Sequence, residues 1–117
     1  MSLFNWLFGK RPTEQQAVLV HLDGKNLPNS VYQTCDLVTL EDKLIEAISC
    51  GKLGELDGNE VGPEDATIFM YGVDAEKLFA GIEKSLRDYP LCQNARVVIR
   101  KGGPGSSQRE IKLPLTQ

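Results

Sequence analysis

Histidine is nearly missing from this chain: His21 is the sole example in 117 residues. That excludes a multi-histidine metal centre and leaves a Ser/His/Asp or Cys/His catalytic arrangement with one base to draw on. On its strand pattern we read His21 as structural. Cysteine is scarce as well. Cys35, Cys50 and Cys92 are odd in number and widely spaced, with no C-x-x-C, so zinc-finger and thioredoxin-type readings fail. We expect free thiols, as in a reducing cytoplasm, with Cys50 the most buried because it ends an apolar-periodic segment. No apolar run is long enough to cross a bilayer. Basic charge is not in excess either: 13 Lys and Arg stand against 16 Asp and Glu, for a net charge of -3. Nucleic-acid binding needs a clustered basic surface, so we expect no nucleic-acid partner. What remains is ordinary: 41% hydrophobic and 25% charged residues, the balance of a globular domain.

The chain opens Met1-Ser2-Leu3-Phe4-Asn5-Trp6-Leu7-Phe8-Gly9-Lys10-Arg11-Pro12. No charged leader precedes this apolar stretch and no small-residue cleavage site follows it, so we expect no secretory signal. As a helix, it would carry Leu3, Trp6 and Leu7 on one side with Phe4 and Phe8 beside them. We read residues 1–16 as an apolar segment and polar connector, ahead of a single domain over 17–117. The favoured role of Leu3, Phe4, Trp6, Leu7 and Phe8 is to cover an apolar patch on the domain or on a second copy. Peripheral membrane contact through residues 3–11 is the less favoured reading, because two helical turns bury too little for a stable anchor.

Residues 17–22 (Ala-Val-Leu-Val-His-Leu) are apolar on both sides and predict a central strand. Residues 25–36 read as a long loop anchored by Val31 and Tyr32. Leu40, Leu44, Ala47 and Ile48 predict a helix over 39–50, capped by Thr39 and closed at Gly51. The glycine-interrupted, acidic stretch 53–61 predicts an edge strand. A second strand follows at 66–71. Asp74 caps a helix over 74–89 with the stripe Ala75, Leu78, Phe79, Ile82 and Leu86, and with exposed pairs Glu83–Arg87 and Lys84–Asp88. Strands at 95–101 and 109–113 enclose a glycine loop. This β-α-β-β-α-β order with one added strand predicts an α+β fold, the ferredoxin-like split βαβ sandwich. It has an antiparallel sheet, two helices on one face and an extra C-terminal hairpin strand.

The segments Leu22-Asp23-Gly24-Lys25, Gly54-Glu55-Leu56-Asp57-Gly58-Asn59-Glu60, Met70-Tyr71-Gly72-Val73-Asp74-Ala75 and Tyr89-Pro90-Leu91 resemble a family of small uncharacterised bacterial proteins. The resemblance covers about residues 17–113. It implies a bacterial cytoplasmic domain and supplies no activity, cofactor or catalytic residue.

Three sets of residues invite a functional reading. In a regular strand, Glu55, Asp57 and Asn59 would share one side, with Glu60 on the other, and such oxygen ligands suit Ca²⁺ or Mg²⁺. The segment does not match an EF-hand loop, and acids on an edge strand serve equally to block edge-to-edge aggregation, which we favour. Arg100, Lys101 and Arg109 flank the glycine loop at 102–105 and could meet an anion. The loop lacks the phosphate-binding pattern, however, and a plain hairpin turn is the stronger reading. Phe69 and Tyr71 alternate against Ile68 and Met70, so one pair must face away from the helices. Outward aromatics would resemble an RNA-binding platform, but the acidic composition favours a protein or self-association surface, or a cover supplied by the N-terminal segment or the 25–36 loop.

From sequence, then, we expect a non-enzymatic cytoplasmic domain acting through protein–protein contact, including contact with itself, with no catalytic residue and no cofactor. The alternative is a small-ligand or divalent-metal-binding domain, with or without enzymatic activity, using the acidic segment 55–60; which metal, if any, is not specified by these residues. A fold of this kind hosts many unrelated functions and does not choose between them.

Overall fold

Strand β1 (Gln16–Asp23) has apolar residues on both sides because it is the middle strand of a five-stranded sheet. Around it, the computed structural model describes residues 15–103 and 105–114. After β1 come α1 (Asn29–Thr34), α2 (Leu37–Gly51), β2 (Glu55–Val61), β3 (Asp65–Gly72), α3 (Ala75–Asp88), β4 (Arg96–Arg100) and β5 (Gln108–Lys112). The sheet order is β2-β3-β1-β4-β5, with every neighbouring pair antiparallel. This is the ferredoxin-like split βαβ sandwich with an added C-terminal hairpin strand.

The core lies between the sheet and the two long helices. Val18, Val20, Ile68, Met70, Val97 and Ile99 point from the sheet to Leu40, Leu44 and Ile48 of α2 and Leu78, Ile82 and Leu86 of α3. None of these residues is more than 2% exposed. At about 25 cal/mol per Å² of apolar surface, this one layer supplies most of the drive to fold.

Several local expectations are corrected. Helix α2 begins at Leu37, two residues before the expected 39–50 span, because Asp36 and not Thr39 is its cap. The Asp36 carboxylate accepts from the Thr39 N–H at 3.0 Å. The helix ends at Gly51 as expected, and Lys52 beyond it takes the left-handed conformation (φ 54°) as the cap. The 25–36 loop contains α1, and Tyr32 ties it down: its hydroxyl donates to the Asp23 carbonyl at 2.8 Å and accepts from the Leu27 N–H at 3.1 Å. Cys50 is exposed on the last turn of α2, and Cys92 is the buried thiol. Strand β2 starts at Glu55 and not at 53. Helix α3 matches its expectation, with Asp74 accepting from the Glu76 and Lys77 N–H groups. Its surface pairs Arg87–Glu83 and Lys84–Asp88 also form.

Candidate functional site

Because side chains alternate along a strand, the face opposite the helices follows from the register. Three ranks of residues cross it from β2 to β5. The first is Glu55, Tyr71, Ala17, Arg100 and Gln108. The second is Gly58, Phe69, Leu19, Val98 and Glu110. The third is Glu60, Thr67, His21, Arg96 and Lys112. Phe69 and Tyr71 therefore lie on the open face, since Ile68 and Met70 are both fully buried beneath the helices. The 25–36 segment does not cover them, because Val31, Tyr32 and Cys35 pack against the core cluster instead. Residues Leu3, Phe4, Trp6, Leu7 and Phe8 lie outside the described residues.

The centre of this face is apolar: Ala17, Leu19, Phe69, Tyr71 and Val98. Within the single chain Ala17 and Val98 are buried, and Leu19, Phe69 and Tyr71 are half-buried. Its two margins carry opposite charge. Glu55 and Glu60 stand along β2, and Arg96, Arg100 and Lys112 along β4 and β5, where Glu110 is paired with Arg96. Burial pushes the Tyr71 hydroxyl above its ordinary pKa, Asp57 adds to the rise, and Arg100 opposes it, so the phenol sits between the two margins. His21 lies inward of Arg96 and shares a 2.9 Å hydrogen bond between its Nδ1 and the Thr67 hydroxyl. Burial lowers its pKa and Arg96 lowers it further, against smaller opposing effects of Asp65 and Glu110. The imidazole is therefore neutral at pH 7.

The acidic segment is divided by its own backbone. Leu56 pairs with Met70 and Gly58 with Phe69, so Asp57 is an extra residue, a β-bulge in β2. Beyond it the alternation reverses. Glu55 and Glu60 reach the open face, while Asn59 turns to the helix side and donates to Glu41 of α2 at 2.7 Å. The set Glu55, Asp57 and Asn59 thus does not share one side, contrary to the regular-strand expectation. Among the described residues, no three His, Cys, Asp or Glu side chains are grouped to hold a metal ion.

The cations about the glycine loop are also spread apart. Arg109 pairs with Ile99 and so points to the helix side. There it makes a two-pronged contact with Glu76 of α3, with both N···O distances 2.7 Å. Arg100 lies on the open face and donates to the carbonyl of Gly102 at 2.8 Å. Lys101 is exposed between them. Strand β4 is interior because the C-terminal hairpin strand β5 lies outside it, so the basic margin spans two strands.

Two features were not anticipated from the sequence. Asp23 accepts from the backbone N–H groups of Lys25 and Asn26 and from the side-chain amides of Asn26 and Asn94. Burial works to raise its pKa, but these donors outweigh it and bring the carboxyl from 3.8 down to about 2. Only the Asp23-Gly24 turn signal was visible in advance. The second feature is a shallow groove of about 450 Å³ between α2 and α3, lined in part by Lys43, Glu46, Cys50, Lys84 and Tyr89. Its charges are largely engaged: Lys84 with Asp88, and Lys43 over the Tyr89 ring at 5.9 Å. No helix among the described residues is long and apolar enough to cross a membrane.

Comparison with family models, curated proteins and solved structures gives no match, so the reading of this face rests on its own geometry.

Proposed function

We propose that this is a non-enzymatic domain of the bacterial cytoplasm that acts through protein–protein contact, including contact with itself. The observation that carries the reading is the open sheet face. Its apolar centre, the half-buried Leu19, Phe69 and Tyr71 around the buried Val98, is bounded by acids on one side and cations on the other. All the described helices pack on the other face. An apolar patch inside a polar rim is the anatomy of a protein contact surface. The acids next to Phe69 and Tyr71 oppose a phosphate backbone, which supports a protein partner over RNA.

The test is the solution mass of the full chain across the micromolar range, by sedimentation and light scattering. The wild-type chain is expected to self-associate with rising concentration. Leu19→Lys, which puts a charge at the centre of the face, should keep the chain folded and monomeric. A parallel thermal-shift screen with divalent cations and metabolites addresses the ligand-binding alternative. A mass that Leu19→Lys does not change, together with a melting temperature raised by one metal, would overturn the contact reading.

A further inference from the structure

We infer that two copies pair open face to open face about a two-fold axis running along β1, an arrangement that rests on the contact reading above. Identical sheets that meet face to face are related by an axis lying between them. An axis across the strands would set each β2 margin over the other copy's β2 with the ranks reversed, placing Glu55 against the partner's Glu60 and acid against acid. An axis along the strands keeps each rank level and exchanges the margins. Because β1 is the third of five strands, that exchange is in register: β2 meets β5, β3 meets β4, and β1 meets itself.

The chemistry of the exchanged pairs is complementary throughout. Glu60 meets the partner's Lys112. Tyr71 meets the partner's Arg100, an aromatic face against a guanidinium. Phe69 lies over the partner's β4 at Val98, which is buried in its own chain, and the half-buried Leu19 meets the partner's Leu19 on the axis. Burial and Arg96 keep His21 neutral, so the two imidazoles meet without like charge. Gly58 meets the Arg96–Glu110 ion pair, and the space where its side chain would stand is empty to 4 Å. Glu55, Glu60 and Lys112 make no side-chain hydrogen bond or ion pair among the described residues, so their charges are available to a second copy.

Aligned sheets cross at roughly 30° because each is twisted, which sets the axis within about 15° of β1. Five strands at about 4.8 Å and three ranks at about 7 Å give a face of roughly 24 by 20 Å, the small end of specific interfaces and suited to a weak, concentration-dependent dimer.

A charge-exchange cycle in the full chain tests the axis. Glu60→Lys and Lys112→Glu each set like charges opposite one another at two symmetry-related places. Each should weaken the dimer about tenfold or more in sedimentation. Glu60→Lys with Lys112→Glu in one chain restores opposite charges and should return the dimer to within about threefold of wild type. Both positions are exposed, and circular dichroism checks that the variants fold. A dimer that the single variants weaken and the double variant does not restore overturns the axis while leaving the contact reading standing. A dimer that ignores these charges and dissolves on Trp6→Glu also overturns it, giving the face to the segment 3–8. A wild-type chain monomeric at every concentration overturns self-association itself.

Discussion

Asp23 shows how much one short side chain can organise. It ends β1, closes the turn through Lys25 and Asn26, and reaches Asn94 just ahead of β4. Its depressed pKa is a stability statement with a definite sign. The charged form is favoured by folding, so its contribution is complete above the ordinary value of 3.8 and is lost as pH falls through about 2. Asp23→Asn should lower the unfolding free energy at neutral pH by about 1–2 kcal/mol, the usual loss when a carboxylate that serves several amides is removed. Denaturant titrations of the variant should also depend less on pH between 3.8 and about 2 than those of the wild type. The cysteines make a second residue-scale case. Burial pushes the Cys92 thiol up to about 12, with Cys35 adding to the rise, so it is unreactive as well as covered. Under native conditions a thiol reagent should modify exposed Cys50 first, and Cys92 only at the rate of unfolding. Equal rates at Cys50 and Cys92 would contradict this placement.

At the scale of the element, β2 is the most constrained strand despite its weak sequence signal. Gly54 leads into it with φ 147°, and a Cβ there would lie 2.0 Å from the Tyr71 carbonyl oxygen. Gly72 at the end of β3 is pressed in the same way by the Leu53 carbonyl at 2.3 Å. The two glycines let the chain pass close by β3 as it leaves α2. Gly54→Ala is therefore expected to cost about 1–3 kcal/mol in urea unfolding, through backbone strain and not through any lost contact. A variant as stable as wild type would mean that this approach relaxes freely. The apolar stripe of α3 was legible in full, because Ala75, Leu78, Phe79, Ile82 and Leu86 repeat at helical spacing and Asp74 is a strong cap. The start of α2 was less so. Asp36 and Thr39 both suit a cap, and which one serves depends on where Leu37 packs. The bulge at Asp57 was not legible either, since an extra residue leaves no local mark in a run of acids and glycines.

For the whole molecule, the two faces of one sheet carry different tasks. The face of Val18, Ile68, Met70 and Ile99 closes on two helices, while that of Leu19, Phe69 and Val98 has no described helix upon it. Substitutions on the two faces should separate accordingly. Ile82→Ala, in the closed layer, should reduce stability by about 2–5 kcal/mol, the range for emptying a buried aliphatic site. Leu19→Lys should cost the isolated fold much less and be felt in the solution mass. If Leu19→Lys unfolds the chain as readily as Ile82→Ala, the open face belongs to the core of the single chain and not to a contact between chains.

The sequence by itself determined the order of the strands and the two long helices, the central place of β1 and the stripe of α3, because hydrophobic periodicity and capping act over a few neighbouring residues. It also carried the opposite charges of 55–60 and 96–112. Only the tertiary structure decided what those charges face. A single bulge reverses the alternation of β2, and long-range pairing selects the side for Phe69 and Tyr71. Each of these is set by strand register, and register is fixed by residues distant in the chain that no local pattern records.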